Sequence, residues 1–287
     1  MVSILNTVLC LNNKHNRDSS IQFYEKNHKY IINKEPNVLY TSVTTWNHSH
    51  FPNFDSDVVI ENMMKSKGWK EGHKYWGLTP EKIKEMWNTN KNAVAGAGTD
   101  MHFEIECFMN NPHLIKGYTH KDLYDFYIAN CKDSHENTSN EWKYFINFIK
   151  DTPNLKPYRT EWMIYNEDLK IAGSVDMIYE NQDGTLSIYD WKRCKEISRI
   201  NTFNKFANNE LICHFPDSNF WHYALQLNTY KSIIETKYGK TVTDLYLVRL
   251  HPDSEEKNYE LIQLPDLTNE INDLFLERKI QINKENA

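Results

Sequence analysis

The sequence has no apolar run near the ~20 residues that a membrane-spanning helix requires, so no membrane partner is expected. A short apolar run at the N-terminus has neither a basic segment before it nor a small-residue cleavage site after it. That run is therefore predicted to form a first strand or helix and not a signal peptide.

Cysteines are few and scattered. Their number is odd and no two are close in the sequence: Cys10, Cys107, Cys131, Cys194 and Cys213. Neither a disulfide framework nor a cysteine-type zinc site is indicated by this spacing. A reducing compartment is the expectation, so the protein is predicted to be intracellular and not secreted.

The chain also lacks an excess of basic residues, since 33 Lys and Arg stand against 39 Asp and Glu for a net charge of −6. A surface that binds nucleic-acid phosphates would therefore have to be local. Two stretches are locally basic, 65–74 and 192–205, and the second contains Arg193 and Lys195. Most such clusters are solvated helix faces. The second stretch is the stronger candidate for phosphate binding because it begins at an Asp-x-Lys motif.

Periodicity and turn signals predict alternating helices and strands. A β-rich region over 20–46 with its turn at NKEPN is followed by helices over 56–88, a small-residue loop AVAGAGTD, and a helix Met101–Met109 capped by Thr99 or Asp100. Two helices are predicted next, around 122–131 and 141–150, and three strands follow at 158–166, 170–180 and 185–192. A long helix over 218–238, two strands at 243–252 and 258–265, and a final helix over 269–284 complete the pattern.

This order predicts an α/β (α+β) fold in which one mixed sheet is flanked by helices. The expected division is an N-terminal β-hairpin and helical lobe over residues 1–95 and a core over residues 96–287.

The most promising chemical motif is Asp190-Trp191-Lys192, predicted to lie on a strand. Alternation places Asp190 and Lys192 on one face, where a carboxylate can hold a hard cation and a lysine can act on water or phosphate. The preceding strand supplies Asp176, and Asp183-Gly184 between the two strands predicts a two-residue hairpin. That hairpin would bring Asp176 and Asp190 close to opposite each other, which is tolerated when a cation lies between them.

His102 is the third candidate, expected at the start of a helix with Glu106 one turn further on. A neutral imidazole beside carboxylates suits Mn²⁺ or Mg²⁺. A lone histidine is more often structural, so His102 is of interest through the residues around it.

Five motifs occur in a fixed order: Gly98-x-x-x-His102, Glu161 on a strand, Gly173-x-x-Asp176, Asp190-x-Lys192 and Gln226-x-x-x-Tyr230. Together they resemble the RecB-like branch of the PD-(D/E)XK nuclease superfamily, which includes the mitochondrial genome maintenance exonuclease, over about residues 99–239. The region of Ser42-Val43-Thr44 also resembles single-domain exonucleases of large DNA viruses and phages. The resemblance implies a restriction-endonuclease-like core.

The resemblance also implies roles for individual residues. His102, Asp176 and Asp190 would ligate Mg²⁺ or Mn²⁺ with the main-chain carbonyl of Trp191, and Lys192 would position or activate the attacking water. Glu161 would support the water shell of the metal or a second metal, and Glu106 would be either a partner of His102 or a helix salt-bridge residue. Gln226 and Tyr230 would contact substrate phosphate or brace the site. Some relatives carry a four-cysteine iron–sulfur cluster, but no cysteine follows Cys213, so no cluster is expected.

The implied function is a metal-dependent deoxyribonuclease, acting as an exonuclease on DNA ends or single-stranded DNA in replication, repair or recombination. Helicase or replication proteins are conceivable partners, and a cytoplasm or a virus- or phage-infected host cell is the expected location. Two alternatives stay open: an RNA endonuclease of the cap-snatching type, and a catalytically inactive nucleic-acid-binding module.

Overall fold

The computed structural model describes residues 7–131 and 136–285. Eight helices lie in these ranges: α1 Val8–Asn12, α2 Val43–His48, α3 Ser56–Lys65, α4 Pro80–Met109, α5 His120–Asn130, α6 Asn140–Asp151, α7 Asn219–Tyr238 and α8 Thr268–Glu285. Eight strands lie between them: β1 Ile21–Tyr24, β2 Lys29–Ile32, β3 Thr41–Ser42, β4 Lys156–Asn166, β5 Ile171–Glu180, β6 Leu186–Lys192, β7 Val242–Arg249 and β8 Glu260–Gln263.

A sheet of six strands forms the centre of the fold. Strands β5, β6, β7 and β8 are neighbours in that order. β3 and β6 pair with opposite ends of one edge of β5, and β4 pairs along the other edge of β5. The pairs β3–β5 and β6–β7 are parallel, whereas β4–β5, β5–β6 and β7–β8 are antiparallel. The predicted mixed sheet is confirmed.

Helices cover both faces of this sheet, as predicted. On one face α7 buries Leu227 and Ile233 in a core that includes Ile178 and Ile188 of β5 and β6. On the other face α4, α5 and α6 pack against Met177, Tyr179, Tyr189 and Trp191, among others. Successive side chains of a strand point to opposite faces, which is why neighbouring residues of β6 serve two different cores.

The N-terminal region is joined to the central sheet. The β1–β2 hairpin buries Ile21 and Ile32 against Met163 and Tyr165 of β4, and β3 pairs with β5. Residue 95, the expected boundary between lobe and core, lies inside α4. The N-terminal apolar run contains α1, a first helix as predicted, while residues 1–6 lie outside the described ranges.

α4 corrects the predicted start of the helix that carries His102. The predicted loop AVAGAGTD is helical, and one helix of 30 residues begins at Pro80 with Thr79 as its N-cap. Thr79 and Pro80 form a strong start signal, and the alanines of this segment offset its two glycines. Thr99 does not cap a helix, because its hydroxyl donates to the carbonyl of Ala95 inside α4.

Three predictions near turns were also wrong. Residues 43–46 were expected in a strand, but Ser42 caps α2 by accepting from the N–H of Thr45 at 3.0 Å, and capping outweighs the β preference of Val and Thr. The turn of the first hairpin lies at 25–28 and not at NKEPN. The β5–β6 connection has residues 181–185 and not two residues, because Asp183 bonds forward to Thr185.

Within the described ranges, none of the helices is long and apolar enough to cross a membrane.

Candidate metal and phosphodiester site

The site lies where β5 and β6 diverge. The last paired residues are Met177 and Tyr189, so Asp176 and Asp190 stand opposite each other one position further on. There, the carboxylate of Asp176 accepts from the main-chain N–H of Trp191 at 3.1 Å in place of a strand hydrogen bond. The predicted opposition of Asp176 and Asp190 is therefore present, although the turn that joins the strands is longer than predicted.

Glu161 extends this arrangement onto β4. Its neighbours Thr160 and Trp162 pair with Met177 and Val175, so Glu161 faces Asp176 across the strand pair. Glu161 adopts a left-handed conformation with φ 42°, which is unfavourable for a residue with a Cβ. Its carboxylate accepts from the Ser174 hydroxyl at 2.9 Å. Three carboxylates, Glu161, Asp176 and Asp190, thus follow one line across three strands, with a strained backbone at its end.

His102 reaches this line from α4. Its Nδ1 lies 3.5 Å from Oδ2 of Asp176 and 3.8 Å from Oε1 of Glu161. Its Nε2 donates to the main-chain carbonyl of Trp191 at 3.0 Å, which fixes the orientation of the ring. That carbonyl was expected to be a metal ligand; here it holds the histidine. One ligand atom from each of His102, Glu161 and Asp176 lies within 4.8 Å of the others.

The electrostatics of this cluster favour a cation. Burial lowers the pKa of His102, but the negative charges of Asp176 and Glu161 outweigh it and raise the pKa to about 9. Burial, with the further effect of Glu161, raises the pKa of Glu106 to about 7. In the described ranges Glu106 makes no hydrogen bond to His102. No direct contact therefore supports the expected role of Glu106 as a partner of the His102 ring.

Asp190 and Lys192 form a buried ion pair on the α7 face of β6. Asp190 is 1% exposed, and its Oδ1 has no hydrogen-bond partner among the described residues. Burial and the nearby Asp176 raise its pKa to about 6, although Lys192 acts in the opposite direction. The Lys192 ammonium lies 4.6 Å from the centre of the Tyr223 ring, and the two aspartates keep its pKa above the ordinary range despite burial.

Gln226 and Tyr230 lie one turn apart on α7, and the Gln226 amide donates to the Tyr230 hydroxyl at 3.3 Å. Tyr230 is 3% exposed and packs against Gly173 of β5. This position suits bracing of the site, one of the two roles expected for Tyr230.

The two basic residues expected to bind substrate differ in their surroundings. Arg193 is held by Glu141 of α6, with its Nε donating to the carboxylate at 2.8 Å. Lys195 is exposed, and its main-chain carbonyl accepts from Arg249 at 2.7 Å. Of these two residues, only Lys195 presents a charge with no close counter-ion among residues 7–131 and 136–285.

Three residues that contact the predicted site residues were not found from the sequence: Ser174, Tyr223 and Glu141. Ser174 had a detectable signal, because it lies two residues before Asp176 and so shares its strand face. Tyr223 lies three residues before Gln226, on the same side of α7. Glu141 had no such signal, since its contact with Arg193 joins residues 52 positions apart.

Comparisons with known proteins are sparse. No family model matches the chain, and no curated protein matches it. Among solved structures, the protein SSO0001 is similar over 43% of this chain, with 19% identity and a TM-score of 0.24, and the chain spans 50% of that protein's length. A structure described as "Putative exonuclease" from Eubacterium rectale is similar over 62% of this chain and 71% of its own, with 12% identity and a TM-score of 0.32. Values this low assign no activity.

The donor set fits a hard divalent cation. An imidazole nitrogen and two carboxylates converge, and the nearby buried Asp190 has a carboxylate oxygen without a hydrogen-bond partner. Mg²⁺ and Mn²⁺ prefer oxygen ligands, and Mn²⁺ accepts an imidazole readily. Like charges facing one another across a sheet are costly unless a cation neutralises them.

Proposed function

We propose that this protein is a metal-dependent nuclease of the RecB-like PD-(D/E)XK type, which hydrolyses phosphodiester bonds in DNA. The observation that carries the proposal is the line Glu161, Asp176 and Asp190, met by His102 from α4 and by Lys192 from β6. The order of the motifs along the chain supports the same conclusion.

The proposed metal ligands are His102 through Nδ1, Asp176 and Asp190, and Glu161 either joins them or binds the metal's water. When bound, Mg²⁺ or Mn²⁺ lowers the pKa of water and neutralises charge on the phosphate. Trp191 contributes through its main chain, because its carbonyl orients His102 and its N–H holds Asp176. Such outer contacts fix the ligand side chains before a metal binds.

Lys192 supplies positive charge where negative charge develops during hydrolysis. Its ammonium stays protonated because Asp190 and Asp176 stabilise it, so we assign it to orientation of the attacking water and to charge stabilisation rather than to proton removal. The ring of Tyr223 lies against the same ammonium group.

The substrate proposed is DNA with a free end or a single-stranded segment, in replication, repair or recombination. Helicase or replication proteins are natural partners for such an enzyme, because no helicase motif is evident in the sequence. An intracellular location, including a virus- or phage-infected cell, is proposed because the cysteines are few, odd in number and scattered.

The test uses DNA oligonucleotides labelled separately at each end, and RNA of the same sequence, in Mg²⁺, Mn²⁺ and EDTA. Wild type is expected to cut DNA only with metal, and Asp190→Ala to lower the rate roughly 100-fold or more. Asp244→Ala on β7 is the matched control and should cut at the wild-type rate. Intact DNA turnover by a folded Asp190→Ala protein would overturn the proposal; cleavage of RNA alone would favour the cap-snatching type, and no cleavage an inactive binding module.

A further inference from the structure

The loop that joins β6 to α7, residues 193–218, holds two large apolar side chains that are mostly exposed. Phe203 is 82% exposed and Ile200 is 68% exposed. Single exposed apolar residues are common on protein surfaces. Here two lie three residues apart in a loop that begins directly after Lys192.

This β6–α7 loop is braced by its own hydrogen bonds. The Asn201 amide nitrogen donates to the carbonyl of Asp217 at 2.6 Å, and its oxygen accepts from the N–H of Phe203 at 2.8 Å and of Lys205 at 3.3 Å. Trp221 of α7 donates to the carbonyl of Arg199 at 3.2 Å. These contacts fix the main chain around Phe203, so a ligand that covers its ring need not order the loop first.

Basic residues outnumber acidic ones in the segment that holds these two side chains, since 193–205 contains four Lys and Arg and one acidic residue, Glu196. Arg193, at the start of the loop, is held by Glu141, so its charge is already balanced. Three exposed basic residues of the loop have no ion pair with any residue in the described ranges: Lys195, Arg199 and Lys205. Aromatic and apolar side chains between free basic groups are what unpaired nucleic acid requires, because its bases stack and its phosphates attract cations.

We propose that Phe203 and Ile200 contact the bases of a single-stranded segment of the substrate, while the three free basic residues bind its phosphates. The proposal rests on the proposed nuclease function, since the strand would continue from the β6–α7 loop to the cluster beside Lys192. It commits to unpaired nucleic acid because three of the four exposed charged residues in 193–205 are basic, and because bases stack on exposed apolar and aromatic side chains.

The test is fluorescence anisotropy of the full chain in EDTA, which separates binding from cleavage. One probe is a labelled single-stranded thymidine 20-mer, and the second is an abasic strand of the same length with the same phosphates. Phe203→Ala is expected to weaken binding of the thymidine strand roughly 5- to 100-fold and to leave binding of the abasic strand unchanged. Phe203→Trp should retain binding, because it keeps a stacking surface.

Ile115→Ala is the matched control, since Ile115 is 88% exposed in the loop after α4. It should leave both affinities unchanged. Equal affinity of wild type for the two strands, or an unchanged affinity of Phe203→Ala, would overturn the proposal. So would a wild-type dimer in sedimentation that Phe203→Ala abolishes, because the patch would then be an interface between copies. Phe203-dependent binding by a protein that cuts nothing would contradict the nuclease function alone.

Discussion

The ring of Tyr230 on α7 lies directly against the main chain of Gly173 on β5. A Cβ at residue 173 would come within 2.7 Å of Cε1 of Tyr230 and 3.1 Å of a methyl group of Val43. Gly173 therefore sets the distance between α7 and the strand that carries Asp176.

Gly173→Ala is expected to destabilise the protein by about 1–3 kcal/mol, because the added methyl group forces Tyr230 or Val43 to move. In a Tyr230→Leu background the same substitution should cost less, since the ring that it meets is gone. Urea unfolding of the four proteins measures the coupling between the two residues. If the losses of unfolding free energy in the two single variants simply add in the double variant, Gly173 and Tyr230 are not in contact as described.

Gly96→Ala is expected to act in the opposite direction. Gly96 lies inside α4 and is exposed, and a Cβ there would meet nothing within 4 Å. The alanine should stabilise the protein by up to about 1 kcal/mol, the difference in helix propensity between the two residues. A clear loss of stability on urea unfolding would contradict a continuous helix from Pro80 to Met109.

Asp190 and Lys192 should be strongly coupled in stability. Lys192→Met leaves a carboxylate that is 1% exposed without its counter-ion, and removal of one partner from such a pair costs about 3–5 kcal/mol. The double variant Asp190→Asn with Lys192→Met should be closer to wild type than Lys192→Met alone. Urea unfolding checks this, and a double variant less stable than both single variants would contradict the ion pair.

Stability should fall at acidic pH because of His120. Its ring is fully buried between the Tyr179 hydroxyl and Thr152, and burial lowers its pKa to about 3. Below about pH 6.5 this histidine takes up a proton in the unfolded chain but not in the folded protein. The free energy of unfolding therefore keeps its full value above pH 6.5 and falls as the pH drops towards 3. The loss approaches about 1.4 kcal/mol per pH unit.

His120→Gln should be less stable than wild type at pH 8 and should lose less stability between pH 6.5 and 4.5. His113→Gln, which changes an exposed histidine, is the control and should follow the wild-type curve. Parallel curves for wild type and His120→Gln in urea unfolding would contradict the buried neutral histidine.

The sequence alone predicts most of the sheet, because alternation and turn residues are local signals. The strands that carry Glu161, Asp176 and Asp190 were found in this way, and the opposition of the two aspartates followed from their distance to one turn. The start of α4 was missed because two glycines suggested a loop, whereas the cap that decides the helix lies at Thr79. Contacts between distant segments have no local signal, which is why the contact of Glu141 with Arg193 emerges only in three dimensions.

The central claim is that His102, Asp176 and their neighbours bind a divalent cation, and calorimetric titration with Mn²⁺ at fixed pH tests it most directly. Wild type is expected to bind Mn²⁺, and Asp176→Asn to bind it at least roughly tenfold more weakly, while Asp183→Asn in the β5–β6 turn should bind like wild type. Equal Mn²⁺ affinity of folded Asp176→Asn and wild type, or no binding by wild type, would contradict the account.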